Sequence, residues 1–381
     1  MQRHLSFLQP GGLCLLLLIF SAGPLSAATK VVIASAGASG YLMEHNLPSV
    51  ALAVAMEADL IKQDLVLTKD NEVIVFRNPT LERVTNIGEL FPDRAREDGR
   101  YHVLDFTLAE IRQLSLHDPS GNFPPELQPR LTIPTLREEL AMIRGLEKTL
   151  KKSIRIAPEI KQPWLYRQEG RDISRLVLTI LQEYGYNGQE DKVILLSFDP
   201  EELQRIGQKL LPEMGMAIKL IQLIDSNEGT ETMVEEWGAL VSYNYEWMFS
   251  KSGLRSLKRY ADGIGLHKSM LADNRGMLLL PGFIDNIHQL GMLAYTLPEE
   301  QEGQSMAPFV NSSNEELDFF YFTVGVDGIM TGFCGEAVRF LKDRPQKVDS
   351  ATEENTTPAA AGSVPLQLPP PPQPPTSGDK E

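Results

Sequence analysis

The chain has 381 residues, of which 42% are apolar, and its 51 acidic side chains outnumber 36 basic ones for a formal net charge of −15. That excess excludes nucleic acid and anionic membrane surfaces as natural partners and leaves cations and basic proteins as better ones. There are only two cysteines, Cys14 and Cys334, so a disulfide-stapled framework is excluded as well.

In chain order, Arg3 and His4 precede an apolar run from Leu13 to Phe20, which the small residues Ser26, Ala27 and Ala28 close. This predicts a secretory signal over residues 1–28 and a periplasmic or secreted mature protein. The run is well short of the roughly 20 apolar residues that cross a bilayer, so no stable membrane span is expected. Cleavage removes Arg3 and Cys14, leaving a net charge of −16 and one thiol.

From about Lys30 to Asp343, short apolar runs ending in polar residues alternate with longer amphipathic stretches. That pattern predicts α/β architecture, a (β/α)8 TIM barrel over residues 29–343. Strands are expected near Val31–Ala34, Leu60–Asp64, Ile154–Glu159, Val193–Ser197, Ala217–Leu223, Gly263–Gly265, Met292–Tyr295 and Gly328–Met330. Helices are expected over Pro48–Ala58, with Pro48 at its first position, and Asp199–Leu210, with Asp199 as cap. An extra strand near Val73–Phe76 and the polar segment 78–134 interrupt the alternation, which predicts an inserted subdomain after the second barrel strand. After about Arg344 the composition turns to proline, with Pro369–Pro372 and Pro374–Pro375. Residues 344–381 are therefore expected to form a disordered, solvated tail, or else a spacer or docking segment for an envelope protein.

Barrel chemistry sits at the carboxyl ends of the strands. Those ends carry Ser35-Ala-Gly-Ala-Ser-Gly40, Ala58-Asp-Leu-Ile-Lys-Gln-Asp64, Val75-Phe-Arg-Asn-Pro79 and Ala157-Pro-Glu-Ile-Lys161. With Phe91–Tyr101, Gln162–Gly170, Tyr260–Gly265 and Val326–Met330, these ordered blocks resemble the periplasmic glycerophosphodiester phosphodiesterase family. The resemblance implies metal-dependent hydrolysis of glycerophosphodiesters to glycerol 3-phosphate and an alcohol. Two histidines would exchange protons, carboxylates would hold calcium or magnesium, and an arginine and a lysine would hold the phosphate.

The chain departs from that pattern at its centre. Ser35 and Ala36 stand where the resemblance implies His-Arg, and Arg77 and Asn78 where it implies the second histidine and an aspartate. Lys62 replaces the first carboxylate of Glu-x-Asp, and Thr331-Gly-Phe-Cys334 replaces Thr-Asp-Phe-Pro. Glu44, Asp64, Glu159 and Lys161 remain. A serine hydroxyl is too weak an acid, and an arginine too strongly protonated, to take an imidazole's place.

Counted as charges, Glu44, Asp64 and Glu159 face Lys62, Arg77 and Lys161, three against three, which leaves no need for a dication. Lys62 and Arg77 are therefore expected to stand in the cation's place, with Glu44, Asp64 and Glu159 as an unoccupied remnant metal set and no cofactor. Lys161, Arg77 and Lys62 are the expected ligand-binding residues for a phosphorylated small molecule.

His45 is expected to be an ordinary loop residue and His117 is considered as a substitute base. Tyr243, Tyr245, Trp247 and Phe249 are expected to wall the pocket or simply to pack. The leading expectation is a non-catalytic relative that binds a phosphorylated small molecule or an envelope protein. The alternative is an active or slow phosphodiesterase using calcium or magnesium.

Overall fold

A computed structural model of the chain describes residues 29–119, 123–124, 126, 131–188, 192–298 and 306–344. The expected signal, and the expected tail beyond Arg344, lie outside those residues. The chain divides into a compact unit through Asp343 and a second unit, Arg344–Glu381.

Eight parallel strands form the compact unit: Val31–Ser35, Leu60–Leu67, Arg155–Ile160, Ile194–Ser197, Lys219–Ile224, Gly263–His267, Leu293–Leu297 and Gly328–Thr331. Each pairs with the next, and the eighth returns to the first with Val31 opposite Gly328 and Ile33 opposite Met330. The sheet is thus closed on itself, which is the (β/α)8 barrel. All eight lie where the alternation places them, shifted by a few residues at the ends. The short strand Val73–Val75 runs antiparallel along the second barrel strand, with Val73 opposite Leu67.

Local chemistry starts the helices. Asn46 caps Leu47–Ala55 by accepting from the Ser49 amide, which puts Pro48 at the second helical position rather than the first. Asp199 caps Pro200–Arg205 by accepting from the Glu202 amide, and the helix continues through a π-helical turn at Ile206–Leu210. Thr135 and Glu138 form a reciprocal capping box at the start of Leu136–Leu150.

The pleat decides what each strand offers to the barrel axis. Ile33, Leu60, Ala157, Leu196, Leu223, Tyr295 and Met330 fill the interior, while their chain neighbours Val32, Ile61, Ile156, Leu195, Ile224 and Ala294 face the helices. Extending the same period of two toward the carboxyl ends turns Ser35, Lys62, Asp64, Glu159, Lys161, Phe198, Asp225 and His267 inward at the mouth.

Segment 78–134 carries the short helices Ile87–Leu90 and Leu108–Ile111. Its Leu81, Val84, Val103, Phe106, Ile111 and Leu116 are buried in the same core that joins the helices to the barrel.

Glu139, on the helix-facing side of that core, is fully buried, and neither of its carboxylate oxygens finds a hydrogen-bond partner among the described residues. Burial pushes its carboxyl up from 4.5 to about 7, only partly opposed by the Gln63 amide. A folded-state value above the unfolded one gives stability that is fully present below about 4.5 and is lost as the pH rises to about 7. Glu139→Gln removes this dependence. In calorimetric melts it should raise the melting temperature at pH 8 by roughly 2–4 °C and change little at pH 4.

Candidate functional site

The carboxyl ends of the strands surround a cavity of about 570 Å³. Ser35, Glu44, Arg77, Asn78, Lys161, Asp225 and Glu231 line its polar parts, and Tyr41, Leu42, Met43, Val84, Phe123 and Phe333 its apolar wall. Arg83, Val84, Arg100, Asp118, Pro119 and Phe123 of the segment between the second and third barrel strands reach this lining.

Lys62, Asp64 and Glu159 are buried and do not line the cavity. Sheet register brings them together, because Asp64 lies opposite Glu159, and Lys62 shares a face with Asp64 two residues along the same strand. The Lys62 ammonium bonds Asp64 Oδ1 and also lies 2.5 Å from Glu159 Oε2. The other oxygen of Asp64 accepts from His45 Nε2 at 2.7 Å. Lys161 Nζ bridges Glu159 Oε1 at 2.8 Å and Glu231 Oε1 at 2.7 Å. Burial would raise the Asp64 carboxyl, but Lys62 and His45 hold it well below the usual range. Burial would likewise lower Lys161, and Glu159 and Glu231 instead hold it well above the usual lysine value.

Glu44 stands apart from that group. Its Oε2 accepts from Arg77 Nε at 2.8 Å and its Oε1 from Arg83 at 2.6 Å. Among the expected site residues, the fold therefore joins Lys62, Asp64, Glu159 and Lys161 in one network and Glu44 with Arg77 in a second. Ser35 lies on the cavity wall, with its neighbour Lys62 one strand over.

Among the described residues no group of three or more His, Cys, Asp or Glu is arranged to hold a metal ion. A divalent ion does not fit here, because an ammonium sits between two of the three expected carboxylates and two guanidiniums occupy the third.

His45 corrects its expectation as an ordinary loop residue. A left-handed backbone at φ 52° and a hydrogen bond donated by its backbone N–H to the Ala36 carbonyl turn the ring inward, where it is 4% exposed. His117 is exposed and absent from the cavity lining, although Asp118 and Pro119 belong to it. Of the four aromatics, none lines the cavity. Tyr245 is buried with its hydroxyl on the Phe198 carbonyl at 3.2 Å, Trp247 donates to the Tyr243 hydroxyl, and Phe249 packs on Phe283. Cys334 is buried at the start of the last helix, its thiol pushed up to about 11 by burial.

Sequence reasoning missed Arg83, Glu231, Asp225 and His267. Asp225 and His267 were within reach of the strand-end rule, but the expected fifth and sixth strands stop at Leu223 and Gly265, each two residues short of them. Glu231 sits in a loop 70 residues from Lys161, and no periodicity announces it.

The sequence and the fold are similar to those of known proteins. Residues 36–336 match the Glycerophosphoryl diester phosphodiesterase family. A glycerophosphodiester phosphodiesterase of Haemophilus influenzae is 36% identical over 329 residues, covering 82% of this chain and 90% of that protein. Its counterpart in Treponema pallidum is 35% identical over 331 residues, covering 83% and 92%. Among solved structures, an Oleispira antarctica phosphodiesterase in complex with the product sn-glycerol-3-phosphate superposes with a TM-score of 0.56 at 16% identity, covering 82% of this chain and 97% of that one. A Parabacteroides distasonis glycerophosphodiester phosphodiesterase gives 0.53 at 19%, covering 84% and 99%.

The Glu44 carboxyl checks the electrostatics of the mouth. Burial opposes its ionisation, yet Arg77, His45 and Arg83 hold it down to about 2. A depressed value gives stability that is present above 4.5 and lost as the pH falls toward about 2. Glu44→Gln should therefore melt below wild type at pH 7, and the gap should close as melts are repeated down to pH 2.

Proposed function

Since the chain belongs to the glycerophosphoryl diester phosphodiesterase family, we propose that its barrel mouth binds a phosphorylated small molecule of the glycerophosphodiester class and turns it over slowly or not at all. One observation carries this reading: the Lys62 ammonium lies between Asp64 and Glu159, where it supplies positive charge to both carboxylates. Arg77, Arg83 and Lys161 line the cavity and supply donors for an anion. Because each already pairs with a carboxylate, an incoming phosphate competes with Glu44, Glu159 and Glu231, and its affinity is modest. The leader sequence supports placing this protein outside the cytoplasm. An envelope partner finds support only in the composition of the tail.

Hydrolysis is the second reading, favoured by the names of the relatives at 35–36% identity. The buried His45–Asp64 pair favours it too, since an imidazole held by a carboxylate is a proton carrier. Against it, the His45 Nε2 is already committed to Asp64, and Ser35 and Arg77 stand where the resemblance implies the two histidines. Losing an imidazole from each of two proton transfers costs typically about 10²- to 10⁴-fold apiece.

Release of glycerol 3-phosphate from glycerophosphocholine or glycerophosphoethanolamine, followed by a coupled assay with calcium, magnesium or chelator, separates the readings. We expect turnover at least about 10²-fold below an ordinary hydrolase and insensitive to chelator. Brisk hydrolysis that stops when metal is stripped would establish the second reading. Calorimetric titration of the wild type with calcium or magnesium should show no stoichiometric binding. Tight binding abolished by Asp64→Ala would sink the assignment of Lys62 as the resident cation.

A further inference from the structure

Across the mouth from Glu44 and Arg77, Phe198 and Asp225 directly follow the fourth and fifth strands and His267 ends the sixth. His267 is the last residue of its strand and 8% exposed, and its Nε2 is buried with no hydrogen-bond partner among the described residues. Buried polar atoms are rarely left in that state, so an orphan at a barrel mouth marks a place where something polar belongs.

The nearest carboxylate, Asp225 Oδ1, is 3.9 Å from Nε2. That is too long for a hydrogen bond and fits one oxygen atom placed about 2.8 Å from each. Asp225 lines the cavity, as do Lys161 and Glu231. Phe198 fixes the relation of this pair to the basic side of the site. Its ring stacks on the His267 ring with centroids 6.3 Å apart and planes 16° apart, and Lys161 Nζ lies 5.4 Å from its centroid. The Phe198 backbone is held in turn by Tyr245 and Gln222, whose side chains donate to its carbonyl.

We propose that Asp225 and His267 form a hydroxyl-binding subsite for the alcohol portion of a phosphate ester whose phosphate rests on Lys161. A ligand hydroxyl would donate to the Asp225 carboxylate and accept from the protonated Nε2 of His267. Phe198 would form the apolar surface between the two polar ends. The subsite rests on the phosphate-binding reading above and adds to it the preference for a polyol ester over a bare anion.

Calorimetric titration of the full chain with inorganic phosphate and with sn-glycerol 3-phosphate tests it. The wild type should prefer the glycerol ester by roughly tenfold. His267→Phe should abolish that preference with phosphate affinity unchanged, Asp225→Asn should weaken it, and His267→Gln, which keeps a donor, should restore part of it. Equal wild-type affinity for both probes overturns the subsite alone, as does a preference that survives both His267→Phe and Asp225→Asn. Binding of neither probe by the wild type overturns the subsite together with the reading beneath it. Should a variant lose phosphate binding as well, the wild-type His267 imidazole resonances decide. A shift on adding glycerol 3-phosphate but not phosphate supports the subsite, and no shift with either overturns it.

Discussion

The ammonium of Lys62, shared between Asp64 and Glu159, is the interaction on which the rest of the mouth depends. Without it two carboxylates would face each other across neighbouring strands in a dry interior, at a cost in repulsion and desolvation. With it, charge balance passes outward in order. Glu159 shares its second oxygen with Lys161, Lys161 reaches Glu231, and Trp164 bonds the Glu231 carbonyl at 3.2 Å. Four carboxylates, Glu44, Asp64, Glu159 and Glu231, thus meet four cations, Lys62, Arg77, Arg83 and Lys161. Such a network is weak evidence of added stability, because desolvation offsets much of the attraction. Its effect is on what the mouth can hold.

That effect divides the mouth in two. On the arc of the first three strands every charge is already matched, so a dication has no place and an anion must displace a resident carboxylate. On the arc of the fourth to sixth strands the His267 Nε2 has no hydrogen-bond partner among the described residues, and its ring stacks on Phe198. The segment before the helix Leu136–Leu150 closes the apolar side with Val84 and Phe123 and adds Arg83 and Arg100 to the rim. Membership of a hydrolase family fixes the scaffold, and the side chains at the strand ends decide how much of its chemistry survives.

Much of this is legible in the sequence. Asp64, Glu159 and Lys161 stand at strand ends, and the resemblance marks Lys62 as the position where a carboxylate is implied, two residues from Asp64 and so on its face. The pairing of Glu44 with Arg77 rather than with the other carboxylates was not legible, since it depends on how the loop after the first strand lies over the barrel. His45 was misjudged for the same reason: a left-handed turn at one residue decides whether a loop imidazole points to water or to Asp64.

The sequence by itself determined the barrel, the strands that build it, and the presence of Ser35, Lys62 and Arg77 at strand ends where the resemblance implies imidazoles and a carboxylate. Periodicity and side-chain chemistry are local properties, and the chain states them directly. Only the tertiary structure decided which charges meet, that Glu231 and Arg83 complete the balance, and that His267 faces Asp225 beside Phe198. Those are contacts between strands and loops far apart in the chain, set by sheet register and loop path, which no local pattern encodes.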